Sequence, residues 1–97
     1  MTTDAELLVS CEPLAGGGWR CAVTVGDDAG ATQHAVRVDH ATLEDLAPGA
    51  TPEDLVRTSF EFLLEHEPRE SIMRSFELPV IGRFFGEYAD EIGRRLG

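Results

Sequence analysis

Apolar and polar positions alternate along three short stretches before the period of the pattern changes. In residues 6–12, ELLVSCE, the side chains of Leu7, Val9 and Cys11 point one way and those of Ser10 and Glu12 the other. In residues 19–25, WRCAVTV, the alternation is cleaner: Trp19, Cys21, Val23 and Val25 oppose Arg20, Ala22 and Thr24. In residues 32–38, Thr32, His34, Val36 and Val38 oppose Gln33, Ala35 and Arg37. A period of two marks half-buried strands. PLAGGG (13–18) and GDDAG (26–30) read as the turns between them. The pattern predicts a three-stranded antiparallel meander with one covered face.

A hairpin must keep its apolar sets on one face, which limits the register. In the first hairpin, Leu7 opposite Val25 and Val9 opposite Val23 put Cys11 opposite Cys21; a tighter loop with Cys11 opposite Trp19 also satisfies the pattern. In the second, Val25 faces Thr32, Val23 faces His34 and Cys21 faces Val36.

After Val38 the period becomes helical. Asp39 caps a short helix, His40 to Leu46, ended by Pro48-Gly49. Thr51-Pro52-Glu53-Asp54 is the strongest start signal in the chain: a capping hydroxyl, a proline at the first helical position and two carboxylates at the positive end of the dipole. The helix it opens is expected to reach His66, with Leu55, Val56, Ser59, Phe60, Phe62 and Leu63 on its apolar face. Pro68 is expected to start another helix to Phe76, burying Ile72, Met73 and Phe76, with Glu70 and Arg74 paired at i,i+4. Pro79 starts a third. Gly82, Gly86 and Gly93 weaken it, and a break near Gly86 leaves a last helix from Glu87 to Arg95.

The fold class expected is therefore α+β: a β-β-β meander followed by three to four helices packed on one face. Ninety-seven residues form a single domain, 1–97, with the sheet in 6–38 and the helical part in 40–96. Six of the seven aromatic residues follow position 59, so the helical half supplies most of the core volume.

Composition changes the picture in two ways. Net charge is −10, and all eight basic residues are arginine. They are scattered among carboxylates, so the clustered positive charge that phosphate backbones require is missing, and nucleic acid is not an expected partner. The charge reads as a soluble acidic surface, or as one aimed at a basic partner. Lysine-free, Arg-, Ala- and Gly-rich usage suggests a GC-rich bacterial source. No apolar run reaches the roughly 20 residues that span a bilayer, and MTTDAELLVS carries neither a basic start nor an apolar core. The expected location is cytoplasmic, without membrane association, and there Cys11 and Cys21 are expected as buried, reduced thiols.

Residues 51–92 resemble a segment found in small bacterial proteins, with the pattern TPEDLVRxSFEFLLExEPxESI, to which no activity is attached. The order of meander and helix is similar to that of HicB-like antitoxins. These resemblances imply a family and, for the second, a partner-binding role.

Candidate chemistry is sparse. If the long helix covers the sheet, Cys11, Cys21, His34, Ser59 and His66 fall in one layer, where a thiol or hydroxyl beside an imidazole makes a nucleophile and base. Simpler roles compete: Ser59 as a small helix-packing residue, His66 as a cation-capable group near a helix C-terminus, His34 as an edge-strand polar residue. No third orienting group or oxyanion donor is identifiable. Glu65-His66-Glu67 diverge around a helix, and no metal-ligand or phosphate-loop spacing occurs. No catalytic residue, metal or cofactor is expected. The reading is a non-enzymatic acidic interaction module, an adaptor or antitoxin-like protein, with Phe84, Phe85 and Tyr88 as the partner surface. The alternative is a small enzyme or ligand-binding protein with a pocket between sheet and helices. A homodimer is open to either, because a meander leaves unpaired edges.

Overall fold

The computed structural model describes residues 6–96. The elements run β1 (Leu7–Pro13), β2 (Trp19–Val25), β3 (Thr32–Val38), α1 (His40–Leu46), α2 (Pro52–His66), a 3-10 turn (Arg69–Ser71), β4 (Ser75–Glu77), α3 (Val80–Phe84) and α4 (Tyr88–Leu96). They form an α+β fold: one sheet of order β1-β2-β3-β4 with helices against it.

The meander has the first of the two registers open to it. Leu7 faces Val25, Val9 faces Val23 and Cys11 faces Cys21. Val25 faces Thr32, Val23 faces His34 and Cys21 faces Val36. The alternation puts Cys21, Val23, Val25, Val36 and Val38 in the core, while Arg20, Ala22, Gln33 and Arg37 stay outside. Helix α2 lies over β1 and β2, and α4 packs beside it. Thr51 Oγ1 accepts from the Asp54 amide at 3.1 Å and starts α2; Asp39 Oδ1 accepts from the Thr42 amide at 3.3 Å and starts α1. The Thr42 hydroxyl and amide together hold the Asp39 carboxyl below its usual range.

Two expectations are corrected. The first is the helix from Pro68 to Phe76. The chain makes a single 3-10 turn there and then extends as β4, parallel to β3, with Ala35 facing Ser75, Val36 facing Phe76 and Arg37 facing Glu77. Backbone bonds fix this: the Ala35 amide donates to the Arg74 carbonyl at 2.7 Å, and the Leu78 amide to the Arg37 carbonyl at 3.0 Å. The free edge of β3 takes up the backbone groups of this segment, and Phe76 packs against the core there. The 3-10 turn is held to the β2–β3 turn by Arg69, whose guanidinium donates to Asp28 at 3.0 Å and lies over Gly26. Gly26 has φ +97°, and a Cβ there would strike that guanidinium.

The second correction concerns the cysteines. Cys11 and Cys21 are not free thiols; a disulfide joins them across β1 and β2, with Cα atoms 4.0 Å apart. Directly opposed residues outside the hydrogen-bonded pairs approach most closely in an antiparallel ladder, and that closeness permits the bond.

The break expected near Gly86 is present. Helix α3 ends at Phe84, and α4 begins at Tyr88.

Candidate functional site

An apolar recess lies between the C-terminal end of α2, the segment leading into β4, and α3. It encloses about 210 Å³. Its buried walls include Leu63, Ile72 and Ile81, joined by the half-buried Phe76, with Glu67 bringing one carboxylate. Two large apolar side chains in its lining remain exposed: Met73 at 44% and Phe84 at 69%.

Local structure explains why these groups meet here. Pro79, at φ −60°, turns the chain out of β4 into the short helix α3. That helix buries Ile81 and leaves Phe84 outside. Phe85, the next residue, turns inward at the helix end. Its ring sits edge-on to Phe62 at 5.7 Å and 5.0 Å from His66. Met73 lies in the extended stretch before β4, where its carbonyl accepts from His34 Nδ1 at 2.7 Å.

Of the three residues expected at a partner surface, Phe84 is exposed, Phe85 is half-buried and Tyr88 is buried. Tyr88 therefore leaves that surface: its ring packs 5.5 Å from Phe62, and its hydroxyl is consumed by a buried hydrogen bond. Met73 is exposed beside Phe84 in the lining of the recess. Sequence pattern missed Met73 because a helical reading of 68–76 put it inside; the strand at 75–77 leaves it out.

The cysteine, histidine and serine set does not converge. Cys11 and Cys21 bond each other. His34 is buried and lies 5.3 Å from the Phe60 ring. A carbonyl can only accept, so Nδ1 carries the proton toward Met73, and Nε2 is hydrogen-bonded with the Thr32 hydroxyl at 2.9 Å. Ser59 donates to the Leu55 carbonyl at 2.8 Å and meets the Tyr88 hydroxyl at 2.6 Å. His66 is exposed, 4.5 Å from the Phe62 ring. Each of these side chains is used to hold one element to another. Among the described residues, no three His, Cys, Asp or Glu side chains gather as a metal site, and no helix is long and apolar enough to cross a membrane.

Three arginines form ion pairs among the described residues. Arg69 meets Asp28 and Glu70, Arg94 meets Glu91, and Arg95 bridges Glu91 at 2.9 Å and Glu65 at 2.7 Å. The two arginines hold the Glu91 carboxyl below its usual range. Arg57 donates instead to the Leu7 carbonyl at 2.9 Å.

No family model, no curated protein and no solved structure matches the chain.

Proposed function

We propose that this chain is a non-enzymatic interaction module, an adaptor or antitoxin-like protein, that takes a protein partner at the recess beside α3. The observation that carries the reading is the pairing of a formed apolar recess with Phe84 and Met73 left in water at its lining. Exposed apolar side chains grouped around a concavity are the usual mark of a binding surface, whereas isolated ones are not. The occupant is a basic segment with an apolar side chain to insert. Glu67 lines the recess, and the chain carries a net charge of −10. Such charge speeds the encounter with a basic partner. Nucleic acid is not that partner in this reading: the chain is strongly acidic, and four of its eight arginines, Arg57, Arg69, Arg94 and Arg95, are engaged with the protein's own oxygens.

The residue usage of the chain supports a bacterial source. The disulfide bears on location: such bonds persist in oxidising compartments, so in a bacterial cytoplasm the same strand pair would carry two thiols.

The test is affinity capture from the native cell with wild-type and Phe84→Asp baits, followed by calorimetry on the captured partner at two salt concentrations. The expected result is a protein retained by the wild type and lost by the variant, with affinity falling as salt rises. A partner held equally by both baits would overturn the reading.

A further inference from the structure

The two edges of the sheet differ. β4 is an edge of three residues. β1 is an edge of seven residues, paired with β2 in an unbroken register, and among the described residues no strand lies on its outer side. Natural edges of that length are blunted by lysine, proline, bulges or inward charges. β1 has one charge, Glu12, no bulge, and a proline only at its end. Its core side is apolar, with Leu7, Val9 and Cys11 half-buried, and on the other side Leu8 stands 60% exposed beside Ser10 and Glu12.

Alternation along the ladder decides which backbone groups are free. The Gly26 amide donates to the Glu6 carbonyl at 2.7 Å, so even-numbered residues of β1 bond to β2. The odd-numbered ones, Leu7, Val9, Cys11 and Pro13, turn their backbone groups outward. Arg57 confirms the direction by bonding the outward Leu7 carbonyl.

We propose that this edge pairs antiparallel with the β1 edge of a second copy of the chain, with Ser10 facing Ser10 on the two-fold axis, and that the two sheets become continuous. In this register Val9 of each copy faces Cys11 of the other, and the two exchange both of their backbone bonds. The Leu7 amide meets the Pro13 carbonyl. The Leu7 carbonyl, already served by Arg57, meets the one residue that has no amide hydrogen to offer. Neighbouring registers fit worse. Centring on Val9 sets Glu6 against Glu12 and asks the Leu7 carbonyl for a second donor. Centring on Cys11 leaves the Val9 carbonyl facing a proline. The favoured register puts Leu8 opposite Glu12 on the outer face, twice per dimer. The Cys11–Cys21 bond keeps β1 in place on its own sheet while the edge is in use. This inference is independent of the recess beside α3.

The test reads the sign of one charge. Sedimentation of the full chain over a range of concentrations should show a reversible dimer. Leu8→Glu faces Glu12 of the second copy and Leu8→Lys attracts it. Because each acts twice, the Lys variant should dimerise roughly tenfold more tightly than the Glu variant. Leu8 is exposed, so both variants should keep the wild-type circular dichroism. Exchange of the Val9 and Cys11 amides should slow as concentration rises. A monomer at every concentration would overturn the proposal. So would a dimer indifferent to the charge at Leu8, or one in which those two amides exchange as fast as in the monomer.

Discussion

The hydroxyl of Tyr88 donates to Ser59 Oγ at 2.6 Å, inside the core, while Ser59 passes its own proton to the Leu55 carbonyl. This chain of two bonds ties α4 to the middle of α2. Ile92, fully buried one turn further on, completes the contact. The terminal helix is therefore structural. Deleting residues 87–97 removes the buried bulk of Tyr88 and Ile92 and leaves the Ser59 hydroxyl with only its bond to the Leu55 carbonyl. The expected outcome is global unfolding, read as loss of helical circular dichroism and of a cooperative melt.

Tyr88→Phe keeps the ring and removes only the bond. It should cost about 1–2 kcal/mol, less than the roughly 3–5 expected when an aromatic core residue is cut to alanine. Burial pushes the Tyr88 phenol well above its ordinary value, with the Ser59 bond opposing. The folded protein thus disfavours the phenolate. The stability Tyr88 lends is whole below the unfolded value of about 10 and is lost as pH rises above it. Urea melts between pH 8 and 11 should show a falling midpoint, and Tyr88→Phe should flatten that fall.

Phe60 is the hinge pin between α2 and the sheet. Its ring lies 5.3 Å from His34 on β3 and 6.1 Å from Phe76 on β4, and it is fully buried. Phe60→Ala should cost about 3–5 kcal/mol, a large part of the stability of a domain this size. Phe84→Ala, by contrast, should change it by no more than about 0.5 kcal/mol. Chemical denaturation of the two variants side by side checks both.

The disulfide predicts that no thiol titrates in the denatured, unreduced protein and that two appear after reduction. It closes a short loop, so reduction should lower stability by about 2–3 kcal/mol in the chain-entropy account. Two reactive thiols on denaturation alone would show that the pair is reduced as isolated.

The register of the meander was legible because two glycine-bearing turns and a strict period of two leave little freedom in how the strands face each other. The pattern left Cys11 facing either Cys21 or Trp19, and the structure takes the first; whether the sulfurs bond was not legible, since redox state is no property of residue order. β4 was hidden for a different reason. A three-residue strand has no period to read, and its partner β3 lies far away in sequence, so only tertiary hydrogen bonds reveal it. The Glu70 and Arg74 spacing suggested a helix that tertiary pairing overrode. The exposure of the C-terminal aromatics was half legible. An aromatic cluster at 84–88 was evident, but which ring faces water depends on how α3 and α4 turn after Phe84.

The late arrival of β4 has a kinetic meaning. Strands β1 to β3 meet through short turns and can close early, whereas β4 is separated from β3 along the chain by α1 and α2. Contacts distant in the chain are slow to form because loop closure must come first. The domain should therefore gain its hairpins and α2 before the Ala35 and Leu78 bonds that dock β4. During that interval the recess beside α3 would lack the wall that leads into β4.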